Sequence, residues 1–188
     1  MKVCGHYVSV PKAGERANGH GAFVRVAEDG STLFGVIDSL GHGPGAEAVT
    51  VAATACLGSV SLDWSLERIM AKLHSELGGT RGAAATICLL RDTELEACAV
   101  GNVELRSGDL RFPLVSTAGI LGANVRKFRV CSAKLHKRAR FVAFSDGISA
   151  RASTDDVRQL TPADACHFIM QRYRRDSDDA TVLVADLE

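Results

Sequence analysis

The chain has 188 residues, the length of one domain, with 22 Lys and Arg against 22 Asp and Glu and a formal net charge of zero. Hydrophobic residues make up 46% and charged residues 23%, which excludes a disordered tail and a collagen-like fibre. The neutral total argues against bulk electrostatic binding to nucleic acid or to an anionic membrane.

The elements follow in chain order. Val3–Val10 and Gly21–Ala27 read as a first strand pair, and a turn at Glu28-Asp29-Gly30-Ser31 leads into a third strand, Thr32–Asp38. Leu33, Phe34, Val36 and Ile37 make that third run apolar on both faces. Ser39 to Gly45 is a glycine-rich loop. Ala46 to Ser59, rich in Ala and Val, reads as a core helix. Ser65 to Leu77 carries Leu66, Ile69, Met70, Leu73 and Leu77 at helical spacing and stops at Gly78-Gly79. Strands are predicted over Ala84–Arg91, Leu95–Val100, Glu104–Arg106, Leu110–Pro113, Lys127–Cys131 and Arg140–Ser145, with a tight turn at Ser107-Gly108-Asp109. Thr161-Pro162 opens a last helix, Ala163 to Arg174, and Ala180–Leu187 is a closing strand. Antiparallel runs with segregated helices define an α+β chain, with residues 1–188 as a single domain.

Nothing in the sequence is long and apolar enough to span a bilayer: the best stretch, Val49 to Leu62, is short and broken by Thr and Ser. Met1 to His6 has no apolar core of the signal-peptide kind. Cys4, Cys56, Cys88, Cys98, Cys131 and Cys166 form no C-x-x-C pair and sit mostly among apolar neighbours, as reduced core thiols do. The expectation is a cytoplasmic protein with free cysteines.

Three acids share one setting. Asp38 and Asp146 each end an apolar run, and Asp178 precedes one, so each lies where a sheet gives way to loop. Converging carboxylates repel one another unless a cation lies between them. Oxygen-only ligands favour Mg²⁺ and Mn²⁺ over Zn²⁺. Such an ion acidifies water and clamps phosphoryl oxygens. By spacing alone the same residues also fit ordinary turn and cap aspartates.

The residues also carry a resemblance. Val36-Ile37-Asp38-Ser39-Leu40-Gly41-His42-Gly43 resembles the D-G-x-G-x-G segment of the metal-dependent protein phosphatase (PPM) family, and Phe144-Ser145-Asp146-Gly147-Ile148 its S-D-G segment. Asp178-Asp179-Ala180-Thr181 is similar to its closing D-[DN]-x-T, Arg81 to Thr86 to its G-[ST]-T-A stretch, and Val100-Gly101-Asn102 to its V-G-[DN] turn. Five segments in the family's order span residues 20–187, and the length and the Gly-His-Gly are most like bacterial RsbX-type stressosome feedback phosphatases. The resemblance implies a four-layer α-β-β-α sandwich of two mainly antiparallel sheets flanked by helices. It implies a site for two Mn²⁺ or Mg²⁺ ions and phosphoserine or phosphothreonine in protein partners, stressosome scaffold proteins among them, as substrate. Asp38 would bridge the metals, the carbonyl of Ser39 would bind one, and Asp146 and Asp178 would hold the other. His20, Gly41, Gly147 and Asp179 would neighbour these ligands. The family places Gly where Ser39 stands, and an acid near where His20 stands, with Glu15 the nearest alternative acid.

His42 lies in the same loop, placed to donate to a phosphate or to protonate a serine leaving oxygen, or simply to face solvent. The glycine loop precedes a helix but lacks the G-K-[ST] of a P-loop. Val125 to Arg140 holds seven basic residues and no acid, either a solvated hairpin face or a docking surface for an acidic, phosphorylated partner. Only Phe128 is interleaved for stacking, a poor fit to nucleic acid. The expectation is therefore a monomeric PPM-type protein serine/threonine phosphatase that binds neither nucleic acid nor membrane. Two alternatives are kept: a binding module on the same fold with a degraded metal site, and a small nucleotide-binding regulator.

Overall fold

A computed structural model describes residues 1–188. Nine strands and three helices follow one another in the order β1 (Val3–Val10), β2 (His20–Val26), β3 (Thr32–Ser39), α1 (Pro44–Ser59), α2 (Leu66–Glu76), β4 (Ala83–Arg91), β5 (Glu94–Val100), β6 (Glu104–Arg106), β7 (Val130–Lys134), β8 (Ala139–Phe144), α3 (Pro162–Tyr173) and β9 (Ala180–Leu187). The strands form two antiparallel sheets, ordered β1-β9-β8-β6 and β2-β3-β4-β5-β7. Helices α1 and α2 pack outside the five-stranded sheet and α3 outside the four-stranded one, which gives the α-β-β-α sandwich.

Strand alternation builds three apolar layers. Leu33 and Ile37 of β3 and Ile87 and Leu89 of β4 face α1 and α2. Phe34 and Val36, Cys88 and Leu90 point the other way, against Phe141, Ala143, Leu183 and Ala185 of the second sheet. Val142, Phe144, Val182 and Val184 meet α3. The helix starts follow local chemistry: Pro stands in the first turn of α1 and α3, and Ser65 and Thr161 accept the backbone N–H groups of Arg68 and Asp164. No helix is long and apolar enough to cross a membrane. The six cysteines are free, and burial pushes the thiols of Cys98 and Cys166 up to about 11 and about 12, as inert core groups.

Three expectations are corrected. β1 and β2 are not partners: β1 pairs with β9 from Val3↔Leu187 to Val10↔Ala180, and β2 pairs with β3. The turn closing β2 onto β3, with Gly30 at φ 85° and Asp29 Oδ1 accepting the Ser31 N–H at 2.9 Å, makes β3 the local partner. Leu110–Pro113 is not a strand. Its alternating Leu110, Phe112 and Leu114 dock on the inter-sheet layer, where Phe112 meets Phe141 edge-on at 5.9 Å, without joining a ladder. The strand expected over Lys127–Cys131 begins only at Val130: its pairing with β5 stops at Cys98↔Val130, and the end of β5 beyond that is bridged by Thr117 instead.

Phe141 is fully buried at the centre of the inter-sheet layer. Its replacement by Ala is expected to cost about 3–5 kcal/mol. Urea unfolding should show this as a lower midpoint at unchanged slope.

Candidate metal centre

The inter-sheet layer is apolar along most of its length and polar at one end. The same alternation that turns Ala22 and Val24 inward turns His20 inward at the start of β2, and cross-strand pairing sets it opposite Asp38 at the end of β3. From the facing sheet come Ser9, Thr181 and, just past the end of β8, Ser145, so four strands and one turn bring a polar residue toward one mouth of the sandwich. A cavity of about 250 Å³ opens there, lined by His20, Asp38, Gly41, His42, Asn102, Asp146 and Asp178 among others.

His20 is 4% exposed and Asp38 7%. His20 Nε2 lies 2.9 Å from Asp38 Oδ1, and its Nδ1 lies 2.9 Å from Ser145 Oγ. Ser145 Oγ accepts the Thr181 N–H at 3.0 Å, so its own proton is free to go to His20 Nδ1. Asp146 follows β8, and Asn102 Nδ2 donates to its Oδ2 at 2.9 Å. Ligating atoms of His20, Asp38 and Asp146 lie within 4.8 Å of one another, as do those of His20, Asp178 and Asp179.

The electrostatics are those of crowded acids. Burial alone would lower the His20 pKa, but the hydrogen bond His20 donates to Asp38 and the charges of Asp38, Asp146 and Asp179 outweigh it and raise the value above 6.5. Burial raises that of Asp146, and the charges of Asp38 and Asp178 add to it, against the opposing pull of His20 and Asn102. Asp38 Oδ2 is buried without any hydrogen-bond partner. An orphaned carboxylate oxygen is costly in a protein interior, and here it sits among further carboxylates. The set fits a hard divalent cation.

The remaining expected residues are divided between this mouth and its supports. Asp179 is fully buried and braces the backbone: Oδ1 accepts the Lys12 N–H at 2.7 Å and Oδ2 the Gly19 N–H at 2.8 Å, which fixes the β1–β2 connection over the site. Gly147 passes so close to this segment that a Cβ would lie 1.9 Å from the Asp179 carbonyl oxygen. Ser39 is buried in β3 with ordinary extended angles, and its Oγ meets Thr50 Oγ1 at 2.7 Å, so no glycine is required there. Gly41, at φ 81°, turns the loop beside Arg81. His42 is on the rim, with Nδ1 2.5 Å from Glu15 Oε1 and Nε2 3.4 Å from Lys12 Nζ. Glu15 therefore serves His42 and stands outside both clusters of possible ligands. Sequence reasoning left out Asn102, Ser145 and Lys12. Asn102 and Ser145 lay inside motifs already singled out, whereas nothing in the sequence marks Lys12.

The family model that matches is Stage II sporulation protein E (SpoIIE), over residues 28–188. The chain belongs to this family of PPM-type phosphatases. No curated protein gives a match in sequence. Among solved structures, one from work on the bacterial stressosome, "a modular system that has been adapted to control secondary messenger signaling", is 30% identical with a TM-score of 0.88, covering 98% of this chain and 100% of that one. RsbX in complex with magnesium is 20% identical at a TM-score of 0.85, over 99% and 96% of the two chains. The catalytic domain of serine threonine protein phosphatase PstP with 2 manganese ions is 16% identical at 0.77, over 98% and 97%. The last two likenesses establish the fold.

A His whose folded pKa is raised contributes stability that is complete below 6.5 and lost as pH rises through the folded value. The raised Asp146 acts with the same sign from 3.8 upward. Chelator-treated protein should therefore lose stability toward urea as pH rises above about 6.5, and His20→Gln should flatten that slope.

Proposed function

We propose that the chain is a metal-dependent protein serine/threonine phosphatase acting on phosphoserine or phosphothreonine of a bacterial signalling partner. The observation that carries this reading is the buried, unpartnered Asp38 Oδ2 at a mouth shared with Asp146 and Asp178. Asp38, the Ser39 carbonyl, Asp146 and Asp178 would hold the ions. Bound Mn²⁺ or Mg²⁺ supplies an acidified water and a Lewis-acid clamp on the phosphoryl oxygens. The chain's own residues orient this centre. Ser145 fixes the His20 ring, His20 donates to Asp38, and Asn102 sets the Asp146 carboxylate. Glu15 orients the His42 ring through Nδ1, and Nε2, 3.4 Å from Lys12 Nζ, would serve the departing serine oxygen only in the doubly protonated ring, where both nitrogens carry hydrogen. The 30% identity to a structure from stressosome work supports a stressosome scaffold protein as the substrate.

One observation favours a second reading. His20 stands where the family carries an acid and already engages one Asp38 oxygen. On that reading the chain binds a phosphorylated regulator without turning it over.

Phosphate release from a phosphoserine protein separates the two. Release is expected with Mn²⁺ or Mg²⁺, none with chelator, and none from Asp38→Asn or Asp146→Asn. A folded wild-type protein that is silent with every metal would sink the enzyme and leave the binding module.

The leaving group tests His42. His42→Ala should slow phosphoserine hydrolysis about 10²-fold or more. p-Nitrophenyl phosphate, whose leaving group needs no acid, should be cleaved at nearly the wild-type rate. An equal loss on both substrates would assign His42 to binding.

A further inference from the structure

The segment joining β6 to β7 runs along the open end of the five-stranded sheet and is tied to it by bridges at Val100↔Thr117 and Ala83↔Leu121. Beside it lies a second cavity, of about 480 Å³, lined by Ser116, Thr117, Asn124, Arg126, Lys127 and Arg129. Every charged side chain on that lining is a cation. None of the three is in an ion pair, although Arg138 and Arg140 in the same basic stretch reach Glu188 and Asp186. Asn124 spends its side-chain oxygen on the Ile120 N–H at 2.8 Å, so its remaining polar group is a donor. Ser116 spends its proton on the Gly101 carbonyl at 2.6 Å, and Thr117 Oγ1 is buried without a partner. The lining is rich in donors and positive charge, the complement of an anionic ligand.

This cavity is one loop away from the metal centre. Ser116 and Thr117 are hydrogen-bonded to Gly101, and the next residue, Asn102, holds Asp146 at the catalytic mouth. An extended peptide advances about 3.3–3.6 Å per residue, so a substrate with its phosphoserine in the mouth reaches the second cavity within a short stretch of chain. No aromatic ring lines the cavity, and Phe128 is turned into the core, so stacking of nucleic-acid bases has no platform.

We infer that Arg126, Lys127 and Arg129 form a docking site for an acidic segment of the protein substrate flanking its phosphorylated serine or threonine. The inference rests on the phosphatase reading for what the neighbouring mouth does, but the cavity's charge is independent of it. The site acts on recognition: it raises affinity and encounter rate for acidic substrates and leaves the chemistry untouched.

The test compares a phosphoserine peptide flanked by Asp and Glu with the same peptide flanked by Ala, and with p-nitrophenyl phosphate. Wild-type protein should favour the acidic peptide about tenfold in kcat/KM, through KM, and lose the preference as salt rises. The triple variant Arg126→Glu, Lys127→Glu, Arg129→Glu should abolish the preference while p-nitrophenyl phosphate hydrolysis and the melting temperature stay at wild-type values. The conservative pair Arg126→Lys, Arg129→Lys should keep most of it. A triple variant that still prefers the acidic peptide overturns the docking site, and so does one that loses all three substrates alike. If wild-type protein turns over nothing, only the phosphatase reading has failed. Fluorescence anisotropy of the labelled acidic phosphopeptide then decides: weaker binding to the triple variant by about tenfold supports the site, and equal binding overturns it. A single-stranded oligonucleotide bound as tightly as the peptide, and lost with the same variant, would reassign the cavity to nucleic acid.

Discussion

Asp38 is a carboxylate that the fold has taken out of water and only half satisfied. Its Oδ1 faces His20, and its Oδ2 has no donor. It occupies that position because β3 is the buried strand next to the edge strand β2, with Phe34 and Val36 facing the other sheet, and residue 38 falls on the same face one step further along. A shift of one residue in the β2–β3 register would turn His20 away and carry the apolar set out of the core. The hydrophobic layer that holds the sandwich together therefore also fixes the aim of the polar group at its end. Burial gives that group its function as well. In open water an unpaired carboxylate oxygen is solvated at no cost, but here it favours a cation or a proton.

The mouth is held in shape by side chains that brace the backbone around it. Asp179 gives both oxygens to backbone N–H groups from the chain leaving β1 and the chain entering β2. Gly147 and Gly19 allow that chain to lie against the turn after β8 and against α1, at separations where a Cβ would collide with the Asp179 carbonyl and with Ala46. The acids and His20 of the mouth thus come from strand ends in both sheets, joined by a clasp that crosses between the sheets. Adjacent aspartates in the chain take opposite tasks: Asp178 lines the cavity, and Asp179 is buried behind it.

Much of this was legible in the sequence. The periodicities of β3, β4, α2 and β9 come straight from burial, and the acids at strand ends stand out because an apolar run stops at them. The pairing of β1 was not legible, since its partner β9 lies at the other end of the chain and no local turn announces it. Leu110 to Leu114 alternates like a strand because it packs like one, on a core face, yet it makes no ladder. Sequence pattern reports burial of side chains and is blind to backbone partners. The same limit hid Lys12 and left Glu15 open as a metal ligand. Only the fold shows that the β1–β2 connection brings both residues to His42, with Glu15 apart from the ligand clusters.

The neutral net charge conceals a separation of charge that the fold creates. Acids that would repel one another are gathered at the mouth, while Arg126, Lys127 and Arg129 stand unpaired one loop away. Had these cations been spent on the acids of the mouth, the carboxylates would be satisfied by protein and would have little use for a cation. Asp186 and Glu188 show the alternative, since they are paired with Arg140 and Arg138 at the opposite end of β9. The separation of the two groups is thus a property of placement: β5 and its loop to Asn102 hold them near each other and apart. A doubly charged phosphoryl group on an acidic chain is drawn to the cations and held off by uncompensated carboxylates. On the proposed reading, metal in the mouth would remove that repulsion, and the same separation of charge would couple recognition of the substrate to occupancy of the metal site.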